Sequence, residues 1–134
     1  MPMFTPNPAA EANVGFDVVQ PGTYRMRVKD IKPFDSKSGN KCLKVQLEYV
    51  DPSALSKEDG TPSSNPGNLF DNGLVTEPAE KQGRLRNFVE ACGINWASAG
   101  NTDELIGREV DVKIKSEEYQ GERSNKVVRY FKIQ

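Results

Sequence analysis

Apolar and polar positions alternate with period two along several stretches of this chain, and switch to a helical period only once. Tyr24, Met26 and Val28 alternate with Thr23, Arg25, Arg27 and Lys29, the pattern of a strand buried on one face. It opens after the turn pair Pro21-Gly22 and is expected to end at Pro33. Asp35 to Asn40 reads as a polar turn, since Gly39 and Asn40 tolerate positive φ. A second strand carries Leu43, Val45, Leu47 and Tyr49 on one face and Lys44, Gln46 and Glu48 on the other. Together the two strands predict an antiparallel hairpin.

Leu69-Phe70 and Leu74-Val75 bracket Asp71-Asn72-Gly73 and predict a short, irregular third strand. The period then changes. Leu85, Phe88, Val89 and Cys92 fall at i, i+3, i+4 and i+7, the stripe of an amphipathic helix. Pro78 suits its first turn and Gly93 the position past its end. Asp103 to Gly107 predicts one short helical turn. Val110, Val112 and Ile114 alternate with Asp111, Lys113 and Lys115. After a tip spanning Glu117 to Asn125, Lys126 to Ile133 returns as the last strand. Its more apolar set, Val127, Arg129, Phe131 and Ile133, is assigned to the core, which leaves Lys126, Tyr130 and Lys132 facing solvent.

The resulting order is β-β-β-α-β-β. This is a mainly β chain, and the order matches a five-stranded Greek-key barrel of the OB type with one helix between strands three and four. A length of 134 residues fits one domain. Residues 1–18, rich in Pro, Ala and Asn, read as a flexible arm, and residues 19–134 as the domain. Residues 51–68 hold three prolines, two glycines and four serines and read as a flexible acidic loop.

Composition narrows the chemistry. The chain has no histidine, so the commonest general base and metal ligand are missing, and with two cysteines a zinc site of the usual kind is excluded. No phosphate-loop, nucleophile-elbow or zincin motif occurs. A binding protein is expected rather than an enzyme, with no cofactor and no metal. Cys42 and Cys92 read as small apolar residues, and a disulfide framework is not expected. The N-terminal residues have neither the charge nor the apolar run of a signal peptide or membrane anchor, so an intracellular place is expected.

The net charge of −1 argues at first against a nucleic-acid partner. The charge is unevenly spread, however. Residues 1–47 carry seven basic and four acidic residues, 48–80 one and seven, and 81–134 ten and eight. The acidic excess lies in the middle, between two mildly basic hairpins.

An OB barrel binds oligonucleotides on one sheet face, flanked by the loop between strands one and two and the loop between strands four and five. Here the first loop offers Phe34, Lys37 and Lys41, and the second Tyr119 and Arg123. Arg25, Arg27 and Lys29 share one face of the first strand, Lys113 and Lys115 one face of the fourth. Lys126 and Tyr130 complete the candidate set from the last strand. Each has a plainer reading: the cations as a solvated strand face, and Phe34 and Tyr119 as lids folded onto the barrel ends. Trp96 reads as a core plug or a stacking surface, Phe70 as either, and Tyr24, Tyr49, Phe88 and Phe131 as packing.

The stretch VQPGTYRMRVKDIKPFDSKSGNKCLKVQLEYV resembles the first hairpin of a bacteriophage family carried as a domain of unknown function. Its members are treated as single-stranded-DNA-binding proteins of replication and recombination modules. RLRNFVEACGI and LIGREVDVKIKSEEYQGERSNKVVRYF are similar to that family's helix and final hairpin, so the resemblance covers about Val19 to Phe131. It implies an OB-like fold, single-stranded DNA as partner without strong sequence preference, contact with phage or host replication and recombination proteins, and action in the host cytoplasm. The last residues, Arg129 to Gln134, lack the acidic tail by which several single-strand binders recruit partners. A small β-barrel adaptor or structural phage protein that binds another protein remains the alternative.

Overall fold

A computed structural model describes residues 3, 5–6 and 17–133. Five antiparallel strands, β1 (Gly22–Asp35), β2 (Lys41–Tyr49), β3 (Leu69–Glu77), β4 (Glu109–Tyr119) and β5 (Glu122–Phe131), form one sheet in the order β3-β2-β1-β4-β5. One helix, α1 (Gly83–Ala91), lies between β3 and β4 in the chain. The fold is thus mainly β, as the alternation predicts. The sheet is not closed into a barrel: among the described residues no ladder joins β3 to β5.

Side chains and the helix cover that seam. Leu85, Phe88, Val89 and Ala91 of α1 are buried, and the Phe88 ring meets Tyr130 of β5 edge-on, centroids 4.9 Å apart. Arg84 donates to Val127 O and Val128 O at 3.1 and 3.3 Å. Asn87 accepts from Tyr130 N–H and donates to Tyr130 O, both at 3.0 Å. The open edge of β5 therefore spends its main-chain groups on the helix, which blocks pairing with another chain there. The helix closes as its sequence predicts: Gly93, at φ +88°, donates to Glu90 O while Ile94 donates to Val89 O, a Schellman end.

Three expectations about the strands change. β1 runs through Pro33 to Asp35, because beyond Arg27 it has only β2 as a ladder partner and tolerates a residue without N–H. The β4–β5 tip is only Gln120-Gly121, at φ 51° and 82°, a two-residue turn of the kind that matches strand twist; Glu117 to Tyr119 pair with Glu122 to Ser124. In β5 the register shifts opposite Lys113/Ile114, so one extra residue, Val128, sits outside the alternation. Val127 and Tyr130 are both buried in consequence. Arg129 and Phe131, expected in the core, are exposed, and Tyr130, expected outside, is 1% exposed.

Residues 51–68 form no long strand or α-helix. Leu55 of this segment is buried, Gln20 donates to Ser56 O at 3.0 Å, and Glu58 donates to Val18 O at 3.2 Å. Asn125 of β5 completes the join by exchanging two 2.8 Å bonds with the Val19 backbone. The arm expected over residues 1–18 lies mostly outside the described residues.

Candidate nucleic-acid interface

The inner face of the sheet is filled by Met26, Val28, Val45, Leu47, Val110, Val112 and Ile114, all essentially inaccessible. By the period of two, the residues between them form an outer face, and the register fixes who stands beside whom. Arg129, Lys113 and Thr23 lie abreast on β5, β4 and β1; so do Phe131, Asp111 and Arg25. Further along, Arg27 lies between Glu109 and Glu48, and past the bulge at Lys29 come Asp30, Gln46 and Phe70. Lys32 and Lys44 form the next row, and Phe34, Cys42 and Val75 the one beyond it.

Six of the expected cations hold an acid. Arg25 lies 3.3 Å from Asp111, Arg27 3.6 Å from Glu48, and Lys41 4.0 Å from Glu77. Lys115 and Lys126 both lie 4.0 Å from Glu117, and Arg123 is 2.9 Å from Glu58. The hydrogen bond that Arg123 donates to Glu58, and then the Glu58 charge, raises the Arg123 pKa. These are exposed pairs, each contributing about 0–1 kcal/mol, so a phosphate can compete for the cation at small cost. Lys29, Lys37 and Lys113 make no ion pair among the described residues and stand exposed. Lys37, in the β1–β2 turn, and Arg123, near the β4–β5 tip, are not brought together. They lie beyond opposite ends of β1, a 14-residue strand about 45 Å in contour.

The aromatics rearrange more. Phe34 is half-buried against a small groove with Cys42, Leu43 and Thr76. The Tyr119 side chain lies outside the described residues. Tyr130 is a core residue: its hydroxyl donates to Asp71 Oδ2 at 2.6 Å. Asp71, the buried charged residue of β3, also receives Arg84 Nη2 at 2.8 Å and Gly73 N–H at 2.9 Å. Burial first, and then the Asp71 charge, push the Tyr130 phenol far above its ordinary value. Tyr130 is thereby removed from any surface contact.

Two rings take its place. Phe70 is 49% exposed on the outer face of β3, with Lys44 Nζ 4.8 Å from its centroid. Phe131 is 39% exposed at the end of β5, with the Arg129 guanidinium 5.4 Å from its centroid. Phe70 is ambiguous in sequence because its neighbour Leu69 is equally apolar, and parity alone cannot choose between them. For Phe131 the one available signal was the adjacent pair Val127-Val128, which breaks the alternation.

Burial pushes the Cys92 thiol up to about 12, against the reactivity of a thiolate. Among the described residues no three His, Cys, Asp or Glu are grouped to hold a metal ion, and no helix is long and apolar enough to cross a membrane. No curated protein matches the chain. Residues 7–134 match the model of a family described as Protein of unknown function (DUF669).

Proposed function

The chain belongs to that family, and on that premise we propose that it binds single-stranded DNA, with little sequence preference, across the outer face of its sheet. The observation that carries the reading is the pair of exposed rings, Phe70 and Phe131, each with a cation against it on an outward strand face. Binding single strands asks for aromatic faces on which bases stack and cations that follow the phosphates. Phe70 with Lys44 and Lys32 would form one station, and Phe131 with Arg129 and Lys113 the other. Lys29, Arg25 and Arg27 lie between them. Stacking accepts every base, which is why no sequence code is expected.

We read the sheet further as an OB-type Greek-key barrel left open between β3 and β5. Support comes from the strand order, from α1 across the seam, and from the fact that such barrels are often partly open and bind on the face of strands two and three. Phe70 and Lys44 occupy that face. The phage replication or recombination setting follows from the sequence resemblance alone, as does the host cytoplasm. Binding, not catalysis, would be the whole activity.

A second reading, a β-barrel adaptor or structural phage protein that binds another protein, draws on the ion pairs: most outward cations already face an acid. Titration of a fluorescent oligothymidylate by anisotropy at increasing salt separates the two. Single-strand binding gives a log–log slope of about −0.7 per phosphate neutralised, and four or five free or displaceable cations predict about −3. Absence of binding at low salt would overturn the proposal and leave the adaptor reading.

A further inference from the structure

A cleft of about 990 Å³ opens between the end of β5, α1 and the turn Trp96–Ser98. Arg129 and Phe131 of the outer face are among its lining residues. Its other chemistry-bearing residues are Arg86 and Glu90 on the helix, Trp96 in the turn and Lys132 just past β5. Three cations against one carboxylate make it positive, and Arg86 reaches Glu90 at 2.7 Å along the helix surface. Trp96 is half-buried: it packs against the hydrophobic core and lines both this cleft and a neighbouring one beside Thr76 and Leu85. The volume lies at the upper end of ordinary ligand sites.

From these residues we propose that the bound single strand does not end at Phe131. It turns over that ring, off the sheet, and seats further nucleotides in the cleft, a base against Trp96 and phosphates against Arg86 and Lys132. This rests on the reading of the outer face as a single-strand site. Three features carry it. Phe131 belongs to the outer face and to the cleft at once, so a strand stacked there is already at the entrance. The cleft repeats the composition of the face, an aromatic surface with cations beside it, which is what a sequence-tolerant strand path requires. The main-chain groups of Tyr130 in its wall are held by Asn87, so a peptide could not add as a strand at that position, whereas a polynucleotide needs only side chains.

Trp96 is the single tryptophan of the chain, so its emission reports on the surroundings of that one ring, and the R86Q/K132Q variant ties a change to this cleft, while anisotropy of a labelled oligomer reports binding anywhere. Oligothymidylates of about 4 and about 16 nucleotides, the limits of site size for one such domain, are titrated and both signals are read. The long oligomer should quench Trp96 as it binds; the short one should bind more weakly and leave the emission largely where it was. In R86Q/K132Q, two surface replacements away from the core, the long oligomer should lose most of the quenching. Its salt slope should flatten by about 0.7 for each cation removed. Binding of the long oligomer without quenching overturns the cleft and leaves the outer face standing. Quenching by polyglutamate that the oligomer does not displace assigns the cleft to an acidic peptide, and also overturns it. If neither oligomer binds at low salt, the outer-face reading falls and the cleft with it.

Discussion

Tyr130 lies in the core and Phe70 stands half exposed on the outer face, and at this scale the surface and the core separate. Tyr130 gives its hydroxyl to a buried carboxylate at 2.6 Å, a bond to a charged group. Its removal in Tyr130→Phe should cost about 1.5–3 kcal/mol, read by urea unfolding at neutral pH. The same substitution should alter the alkaline limb. A phenol whose folded pKa lies above its unfolded value of about 10 contributes stability that is complete below that pH. Above it the unfolded chain releases a proton that the native one keeps, so stability falls by up to about 1.4 kcal/mol per pH unit per such group. Tyr49, raised chiefly by burial and with no hydrogen-bond partner for its hydroxyl among the described residues, behaves alike. Wild type should therefore lose stability steeply from pH about 10 upward, and Tyr130→Phe by about one proton less; equal slopes would place the effect elsewhere. Phe70, by contrast, is half outside. Phe70→Ala should unfold nearly as wild type yet bind oligothymidylate about 5- to 150-fold more weakly, the equivalent of 1–3 kcal/mol for one stacked base. Unchanged binding would show that ring to be idle.

At the scale of elements, the helix decides what kind of sheet this is. A five-stranded sheet without closure exposes two edges, and the β5 edge would invite pairing. Arg84 and Asn87 reach from one side of α1 to the β5 main chain, which makes the helix a substitute for a sixth neighbour. Asn87→Ala leaves one donor and one acceptor of Tyr130 without partners, for a loss of about 1–3 kcal/mol, and it frees the edge. Lower thermal stability together with concentration-dependent self-association in sedimentation is the expected outcome; a variant that is destabilised but stays monomeric would mean that the edge is guarded by other means. The spacing of Leu85, Phe88 and Val89 shows that a helix exists and which face it buries. It says nothing of Asn87, whose partners lie 43 residues away.

For the molecule as a whole, the near-zero charge hides an arrangement. The acidic stretch is placed where it meets the basic hairpin: Glu58 holds Arg123, and the join through Val19 and Asn125 keeps the two segments side by side. If Arg123 belongs to the phosphate path, Glu58 competes with DNA for it. Glu58→Gln should then tighten oligothymidylate binding a few-fold and steepen the salt slope by about 0.7. An unchanged slope would put Arg123 off the path and shift weight to Lys29, Lys113 and the cations around Phe70.

The sequence by itself determined the five strands, the helix and most of the inward-facing set, because each rests on local period. Met26, Val45, Phe88 and Val110 could be read as buried from spacing alone. Tertiary structure decided the rest. One inserted residue at Val128 reversed the parity of the end of β5, sending Tyr130 inward and Phe131 outward. Pairing across distant strands set each cation against its acid. The seam between β3 and β5 was left to Arg84, Asp71 and Tyr130 instead of a ladder. None of these has a local signature, since each depends on which residues register and packing bring together from far along the chain. The site is legible only once that pairing is known.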